Sequence, residues 1–405
     1  MRTSNGTCDR ARAGSGTAAR ALRPPAVVVG ADVNGLGVVR SLAREGVPTY
    51  LADCAGLDPA MRTRHPVKIA FSSLAGAAVV EALLALRDRF SDDPVLFLTR
   101  EATVEAVCGA FERIASCYRI SLPAAGLMKR LMDKAQFQAL AEQHGFAIPR
   151  AVCLRRAEDL ARGAALGYPC ILKPIVKTPA YDRLFKKAYK IGCPEELRAI
   201  VQEIGGVAEM IVQEWIEGGD DCIYFCLQYR ERSQGTSISF VGRKLRSWPP
   251  ATGGTASCMP APEHEGELVH LTNGFFAAVG FFGIGSIEFK RDSRTGRFMM
   301  IEPTVGRTDF QEEIATLNGV NIPYAAYCGE LGRALPQVRR VPAPAAWAVS
   351  RIDRWSCAEQ HQNRRFPEGV RCYDAFWRAD DPLPWCCMTA QRVKARLAVL
   401  ARRAR

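Results

Sequence analysis

Two glutamates late in the chain have the spacing that points most directly to chemistry. Glu288 and Glu302 lie in two apolar runs, residues 284–290 and 297–303. The runs flank a short polar segment that contains a glycine, residues 292–296. Two apolar runs around such a segment predict a β-hairpin. We therefore expect each glutamate on its own strand of the hairpin.

The register of this hairpin decides whether the two carboxylates meet. A turn centred near Thr295 sets Glu288 opposite Glu302 and, on the other face, Phe289 opposite Ile301. Opposed side chains lie about 4.5–5.5 Å apart, and like charges there repel. Two carboxylates held this close need a cation between them, and their oxygens suit a Mg²⁺ ion that carries phosphates. The alternative is a solvated face with two unrelated acids, and the hairpin alone leaves both open.

A lysine in an apolar strand is the next candidate. Lys173 lies near the end of residues 168–174, which predict a strand. A lysine there either extends to solvent or meets an anion. The residues that follow, 174–190, are rich in Lys and Arg and lack glycine. They form either a solvated basic loop or a loop that closes over polyphosphate.

The composition is that of a globular protein with more than one domain. The chain has 405 residues, of which 48% are hydrophobic and 24% charged. That length accommodates two or three domains, and no apolar run reaches the ~18 residues of a membrane span. The fifteen cysteines include no CxxC pair. Reduced thiols and a cytoplasmic location are therefore expected.

The net charge of +12 lies at the two ends of the chain. Residues 1–23 and 331–405 carry the basic excess, whereas residues 24–330 are close to neutral. A globular body without a basic excess argues against a nucleic-acid partner. The Arg-rich residues 1–23 are expected to be a disordered leader, with an organellar transit peptide as the alternative.

A parallel α/β unit is predicted near the start of the chain. Residues 26–29 and 47–52 predict strands around a helix at 36–44. The glycines between the first strand and the helix follow neither the dinucleotide nor the P-loop spacing, since they fall at Gly30, Gly35 and Gly37. Close packing of strand and helix is the favoured reason for these glycines, and a nucleotide site is the alternative.

Taken together, residues 127–330 resemble the ATP-grasp superfamily, in particular its carboxylate–amine ligase-like branch. The resemblance depends on the order of several motifs, which are Asp133-Lys134, the strand that ends Lys173-Pro174, residues 212–221, Glu288-Phe-Lys-x-Asp, Ile301-Glu302-Pro and Gly306-Arg307. It implies an α/β and α+β fold with a Rossmann-like pre-ATP-grasp domain and then a two-lobed ATP-grasp domain. The expected boundaries are 24–125 for the first domain, 126–335 for the second with a lid lobe at about 149–212, and 336–405 for a C-terminal extension.

The resemblance also implies that Mg²⁺-ATP, with Mn²⁺ as a substitute ion, binds between the two lobes. The expected phosphate ligands are Lys134, Lys173 and, from the lid, Lys187. The expected adenine contacts are Gln213, Glu214, Trp215 and Ile216, and the ribose contact is Asp220 or Asp221. The expected metal ligands are Glu288, Glu302 and Thr304, which stands where family members commonly have Asn. The expected catalytic cations are Lys244 and Arg307, the latter holding the acceptor carboxylate or the transferring phosphoryl group.

The function implied is an ATP-dependent ligase. Transfer of the γ-phosphoryl group to a small-molecule carboxylate makes an acyl phosphate, which an amine attacks; alignment and charge cancellation are what this transfer needs from a protein. One alternative is a nucleotide-binding protein without turnover. The two departures from the family pattern, Thr304 and the glycine-poor lid, keep this alternative open. A further alternative is a nicotinamide-dependent oxidoreductase that uses the N-terminal α/β domain.

The C-terminal segment lies outside the resemblance. Residues 389–405 predict a basic amphipathic helix with Val393, Leu397 and Leu400 on one side. Such a helix can lie on an anionic membrane surface, or it can dock its apolar stripe on the body, which is the favoured interpretation. A homodimer is expected only as the commonest assembly of soluble enzymes.

Overall fold

The computed structural model describes residues 23–54, 58–176, 178–233 and 235–403, and its strands form three sheets. The predicted leader lies outside the described residues except for Arg23. None of the helices in these ranges has the length and apolar character needed to cross a bilayer.

The first sheet is parallel, with the strand order β3-β2-β1-β4. Its elements in chain order are β1 (Ala26–Val29), α1 (Val33–Arg44), β2 (Thr49–Cys54), β3 (Val67–Phe71), α2 (Gly76–Arg87), β4 (Val95–Leu98), α3 (Glu101–Gly109) and α4 (Phe111–Ala115). Helix α1 begins earlier than the predicted residue 36, because the Asp32 carboxylate accepts hydrogen bonds from the backbone N–H groups of Asn34 and Gly35. Strand β3 has no counterpart in the sequence-based prediction.

The glycine-bearing turn between β1 and α1 is filled by the chain itself. A Cβ atom on Gly35 would collide with the carbonyl oxygen of Gly30, and one on Gly37 would lie 3.0 Å from the Cβ of Glu313. The Asn34 amide donates to the carbonyl oxygen of Thr308 over 2.9 Å. Close packing therefore requires these glycines, and the turn is covered by residues of a later segment.

The second sheet is a small antiparallel sheet, with the order β5-β8-β6-β7. Its strands and the helices that precede or cover it are α5 (Ala125–Met132), α6 (Lys134–Gln143), β5 (Ala151–Leu154), α7 (Ala157–Ala164), β6 (Cys170–Pro174), α8 (Pro179–Leu184), β7 (Tyr189–Ile191), α9 (Pro194–Ile204) and β8 (Met210–Glu214). The basic segment expected to be a loop thus contains a short helix and a strand. A Pro at the N-terminus of α8 and the Thr178 cap explain the helix, since both stabilise a first turn.

The third sheet has seven strands, in the order β13-β12-β9-β10-β11-β14-β15. Its strands and helices are β9 (Ile223–Arg230), β10 (Ser237–Trp248), β11 (Gly254–Pro260), α10 (Glu265–Val279), β12 (Gly283–Arg291), β13 (Phe298–Val305), α11 (Glu313–Leu317), α12 (Ile322–Glu330), β14 (Ala345–Ala348), α13 (Ser350–Glu359), β15 (Arg371–Asp374) and α14 (Leu383–Arg403). All neighbouring strands are antiparallel except β14 and β15. The last two strands come from the predicted C-terminal extension, so that segment adds strands to the sheet.

The hairpin formed by β12 and β13 has the predicted pairing at its centre. Glu288 lies opposite Glu302, but Phe289 lies opposite Met300 and not Ile301, because the register shifts after Glu288. The prediction of the Phe289 partner is therefore wrong. A β-bulge places one extra residue in one strand. The predicted register therefore holds on the Glu288 side of the shift and is lost on the Phe289 side.

A buried ionic cluster ties the C-terminal segment to the first sheet. Arg40, on α1, donates from Nε to Asp381 over 3.0 Å and from Nη1 to the carbonyl oxygen of Ala375 over 2.7 Å. Asp381 is fully buried and also accepts from Thr63 Oγ1 over 2.7 Å and from the backbone N–H of Arg64 over 3.0 Å. Each polar group is thus paired, which a buried charge requires.

The end of helix α14 does not dock in the predicted manner. Val393 and Leu397, two residues of the predicted apolar stripe, have relative exposures of 52% and 59%. The favoured interpretation, a stripe docked on the body, is therefore wrong for these two residues.

Candidate active site

A cavity lies between the second and third sheets and brings together most of the predicted site. It has a volume of about 100 Å³. The predicted residues that line it are Lys134, Lys173, Lys187, Gln213, Glu214, Trp215, Ile216, Lys244, Glu288 and Glu302. They come from α6, β6, the segment before β7, β8 and its continuation, β10, β12 and β13. Two antiparallel sheets thus contribute opposite walls of one cleft.

The two carboxylates on the third sheet face a group of lysines. Lys244 Nζ lies 2.7 Å from a Glu288 carboxylate oxygen. Lys134 Nζ and Lys187 Nζ each lie 3.9 Å from a Glu302 oxygen. Lys134 and Lys187 belong to the part of the chain around the second sheet, so their ion pairs with Glu302 bridge the cleft. Lys244 and Glu288, in contrast, both lie on the third sheet. The repulsion expected between the opposed glutamates is thus offset by these ammonium groups.

Lys173 is the buried member of this group, with 8% exposure. Its pKa is lowered to about 8, chiefly by burial, and the charges of Lys134 and Lys187 lower it further while Glu302 opposes the shift. Desolvation and like charges both disfavour an ammonium ion. The pKa of Lys187 is instead raised, mainly by Glu302. An added polyanion would relieve the repulsion among these lysines.

The segment from Gln213 to Ile216 forms an edge of the cavity. The Gln213 side chain is buried and donates to Gln138 Oε1 over 3.1 Å. Glu214 pairs with Arg150 over 3.2 Å. Trp215 stacks under Lys190, whose Nζ lies 4.3 Å from the ring centroid. The side chains of Gln213 and Glu214 are thus already engaged, and the backbone of this segment remains the part with which an adenine ring would pair.

Four predicted residues are not among those that line the cavity, which are Thr304, Arg307, Asp220 and Asp221. Asp220 is buried, and its carboxylate accepts from the backbone N–H groups of Ser247 and Ala251 over 2.8 and 2.9 Å. The structure thus gives Asp220 the role of holding the turn after β10. Arg307 donates to the carbonyl oxygen of Thr308 over 3.2 Å, and it lines a small cavity together with Leu98 of the first sheet.

The structure also adds residues that sequence reasoning missed. Lys290 lines the cavity, and its Nζ donates to the carbonyl oxygens of Gly218 and Gly219, over 2.7 Å each. A signal was available, because Lys290 lies two residues after Glu288 and a strand repeats its face every second residue. Ile171, Ile223 and Ile301 supply an apolar surface, for which the sequence gives no comparable signal.

The acidic pair fits a magnesium ion that is bound together with phosphates. No group of three or more His, Cys, Asp and Glu side chains in the described ranges could hold a metal. The protein therefore offers the ion two carboxylates, Glu288 and Glu302, which face each other across the hairpin. Mg²⁺ is usually held by one or two carboxylates plus substrate phosphates. The two carboxylates, Glu288 and Glu302, match this usual coordination of Mg²⁺.

A buried acid lies beyond the cavity, next to the loop that carries Arg307. Glu312 is 2% exposed, and one of its oxygens accepts from the backbone N–H of Asp309 over 3.0 Å. Burial raises the pKa of Glu312 to about 8, and the Asp309 charge adds to the shift while that hydrogen bond opposes it. Glu312 therefore holds its proton near neutral pH.

Comparisons with known proteins connect this geometry to solved structures. No protein-family model and no curated protein matches the sequence. N5-carboxyaminoimidazole synthetase from Staphylococcus aureus, complexed with ADP, superposes with a TM-score of 0.63 and 15% identity, covering 80% of this chain and 81% of its own. The biotin carboxylase of Campylobacter jejuni, in its β-γ-ATP complex, superposes with a TM-score of 0.63 and 15% identity. The match covers 80% of this chain and 75% of that one.

A third solved structure is the biotin carboxylase domain of 2-oxoglutarate carboxylase from Hydrogenobacter thermophilus, with MgADP and bicarbonate. It has a TM-score of 0.61 and 15% identity, and the match covers 78% of this chain and 72% of that one. These proteins have the fold that the sequence resemblance implies. The chain has the ATP-grasp fold, and the predicted fold class is confirmed.

Proposed function

We propose that this ATP-grasp fold serves an ATP-dependent carboxylate–amine ligase. The γ-phosphoryl group of ATP is transferred to a carboxylate oxygen of the first substrate, which releases ADP and gives an acyl phosphate. An amine then attacks the acyl carbon, and inorganic phosphate leaves with the former carboxylate oxygen. This chemistry needs a charged, aligned cleft and no covalent intermediate with the protein.

The observation that carries the proposal is the convergence of lysines and glutamates from separate segments. Lys134, Lys173 and Lys187 come from the part of the chain around the second sheet, and Glu288 and Glu302 come from the third. Polyphosphate needs cations on several sides, and the developing charge on its equatorial oxygens needs them held in place. Solved proteins of the same fold are complexed with ADP or MgADP, which supports a nucleotide in this cleft.

The residues divide the work according to their chemistry. Lys134, Lys173 and Lys187 would bind phosphate oxygens, and the backbone of residues 213–216 would pair with adenine. Glu288 and Glu302 would hold Mg²⁺ or Mn²⁺. When bound, the ion neutralises phosphate charge and fixes the orientation of the β and γ groups.

The catalytic cations proposed from the sequence occupy different places. Lys244 lies in the cleft and is 2% exposed, so its ammonium is held close to Glu288. Arg307 lies between the cleft and the first sheet, and it is close enough to Lys187 to oppose that lysine's charge. We assign Arg307 to the acceptor carboxylate, because a planar guanidinium suits a carboxylate in two-point contact. Thr304, beside Glu302 along the strand, remains a candidate third oxygen ligand.

The test is ADP release from Mg²⁺-ATP in the presence of pooled amino acids and small carboxylates. We expect release to depend on the pools and Glu302→Gln to lower it by about a hundredfold or more, the order of loss for a group that stabilises transition-state charge. Glu267→Gln is the matched control, since Glu267 is exposed on α10. Unchanged turnover in Glu302→Gln would overturn the metal assignment. If the chain binds MgADP but releases no ADP from Mg²⁺-ATP with any pool, the alternative of a nucleotide-binding protein without turnover is favoured.

A further inference from the structure

A second, larger cavity lies between helices α13 and α14. Its volume is about 660 Å³, against about 100 Å³ for the cavity between the sheets. Its walls come from α13, the segment after β15, and α14. None of the residues assigned to the proposed ligase reaction lines it. The cavity therefore needs an explanation of its own.

Four arginines surround this cavity, and they are Arg351, Arg354, Arg392 and Arg396. None of them forms an ion pair with another described residue. Arg351 stacks on Trp355, with its guanidinium carbon 4.6 Å from the ring centroid. The Nε atom of Arg392 is buried and has no hydrogen-bond partner among the described residues. A buried guanidinium donor without a partner is costly, so it indicates a missing acceptor.

The like charges are close enough to affect each other. Burial lowers the pKa of Arg392, and the charges of Arg351, Arg354 and Arg396 lower it further. Four unpaired guanidinium groups around one space repel, and a bound anion would remove that repulsion.

Asp374 is the one acid among the residues that line the cavity, and its charge offsets only part of that of the four arginines. Asp374 lines the cavity, but its oxygens accept hydrogen bonds from three backbone N–H groups. The donors are Ser350 over 3.2 Å, Phe376 over 2.8 Å and Trp377 over 2.9 Å. The carboxylate thus serves to fix the loop after β15, and the cavity keeps a net positive charge.

The rest of the cavity wall is apolar and aromatic. Trp377 and Trp385 meet edge to face, with ring centroids 5.4 Å apart, and each is about 40% exposed or more. Phe376, Met388 and Val393 complete the wall. Large exposed aromatic side chains beside unpaired cations are typical of a site for a ligand with both an anionic and an apolar part.

We propose that this cavity binds an anionic amphiphile, a molecule with a phosphate head group and an apolar portion. The head group is held by Arg351, Arg354 and Arg392, and the apolar portion lies against Trp377 and Trp385. Arginine forks match the geometry of phosphate oxygens. The same head group can come from a free molecule or from a lipid in a membrane, and the test separates these two sources. The proposal is independent of the ligase reaction.

The test is calorimetric titration of the full-length chain with short-chain (dihexanoyl) phosphatidic acid below its micelle concentration. We expect saturable binding of one molecule per chain, and weaker binding of inorganic phosphate, which lacks the apolar portion. The variant Arg351→Gln/Arg354→Gln should bind at least about tenfold more weakly, since each charge-assisted hydrogen bond to phosphate contributes that order. Both arginines are exposed on α13, so the variant should keep its fold.

The control is Arg89→Gln/Arg130→Gln, which removes the same charge from two exposed positions away from the cavity. It should bind like the wild type. In a second arm, phosphatidylcholine vesicles with and without phosphatidic acid are sedimented with each variant. If the chain binds the phosphatidic acid vesicles but not the short-chain lipid, and Arg351→Gln/Arg354→Gln loses this binding, the membrane lipid is the source and the site is supported. Equal binding by both double variants, or no binding of either form, overturns it.

Discussion

The lowered pKa of Lys173 would make the proposed nucleotide binding a proton-linked event. In the free protein this pKa is about 8, because the ammonium is buried and lies near Lys134 and Lys187. A bound polyphosphate would add negative charge beside it and raise the pKa above the working range. Binding would then fix Lys173 in its charged form, and a proton would be taken up from solution wherever the free lysine is neutral.

The size of the uptake follows from the pKa. A group with a pKa of about 8 lacks about 0.1 proton at pH 7, about 0.5 at pH 8 and about 0.9 at pH 9. We therefore expect about half a proton to be taken up per MgADP at pH 8. Affinity should fall as the pH rises above 8, because an increasing share of the binding free energy goes into protonating the lysine.

The measurement is calorimetry of MgADP binding at pH 8 in buffers of different ionisation enthalpy, since the slope of the observed enthalpy against that quantity counts protons. Lys173→Arg is the informative control, because a guanidinium keeps its charge throughout this range. It should bind with almost no uptake. A slope near zero in the wild type, or a full slope in Lys173→Arg, would refute this account of the lysine group.

Two further predictions concern stability. Burial gives Glu312 a pKa of about 8, against 4.5 for the ordinary carboxyl. Between these two values the folded chain holds a proton that the unfolded chain releases. The free energy of unfolding should therefore fall from pH 4.5 to pH 8, by up to about 5 kcal/mol. Urea unfolding at pH 6 and pH 8 should show that Glu312→Gln removes this part of the fall, and the same pH dependence in both proteins would count against it. Gly35→Ala should destabilise by about 1–3 kcal/mol, because its Cβ would collide with the backbone carbonyl oxygen of Gly30. Gly126→Ala is the control, because Gly126 lies in a helix and no atom lies within 4 Å of the added Cβ; it should be neutral or stabilising. An equal loss of stability in both variants would contradict the packing argument.

The central part of the site could be predicted from the sequence because local rules govern it. A glycine-bearing segment between two apolar runs specified the hairpin and placed Glu288 opposite Glu302. The apolar run around Lys173 specified a strand that ends at the cleft. Strand alternation then fixed the direction of each side chain, so the residue types and their faces were sufficient.

The remaining errors have a common physical cause, which is competition from partners distant in the sequence. The Asp220 carboxylate accepts hydrogen bonds from backbone N–H groups around the end of β10, which the sequence did not indicate, while the ribose contact of Asp220 or Asp221 stays a prediction. The register shift next to Glu288 changes the partner of Phe289, and nothing in the hairpin sequence marks it.

The C-terminal segment went unpredicted for a similar reason. Strands β14 and β15 are four residues each, and β14 completes the edge of β11 while β15 in turn pairs with β14. Short strands that complete an existing edge carry little signal of their own. The ATP-grasp resemblance offered no template for them either.

The pairing of Arg40 with Asp381 has a consequence for how the polypeptide is made. The Asp381 carboxylate is synthesised 341 residues after Arg40, and the carbonyl group of Ala375 only shortly before it. Until then Arg40 has only the more distant carboxylate of Glu313, 4.0 Å away, as an ionic partner. Nascent chains should therefore stay susceptible to proteases until residues 375–381 are synthesised. Chains truncated just before residue 375 keep every cleft residue but should still fold poorly.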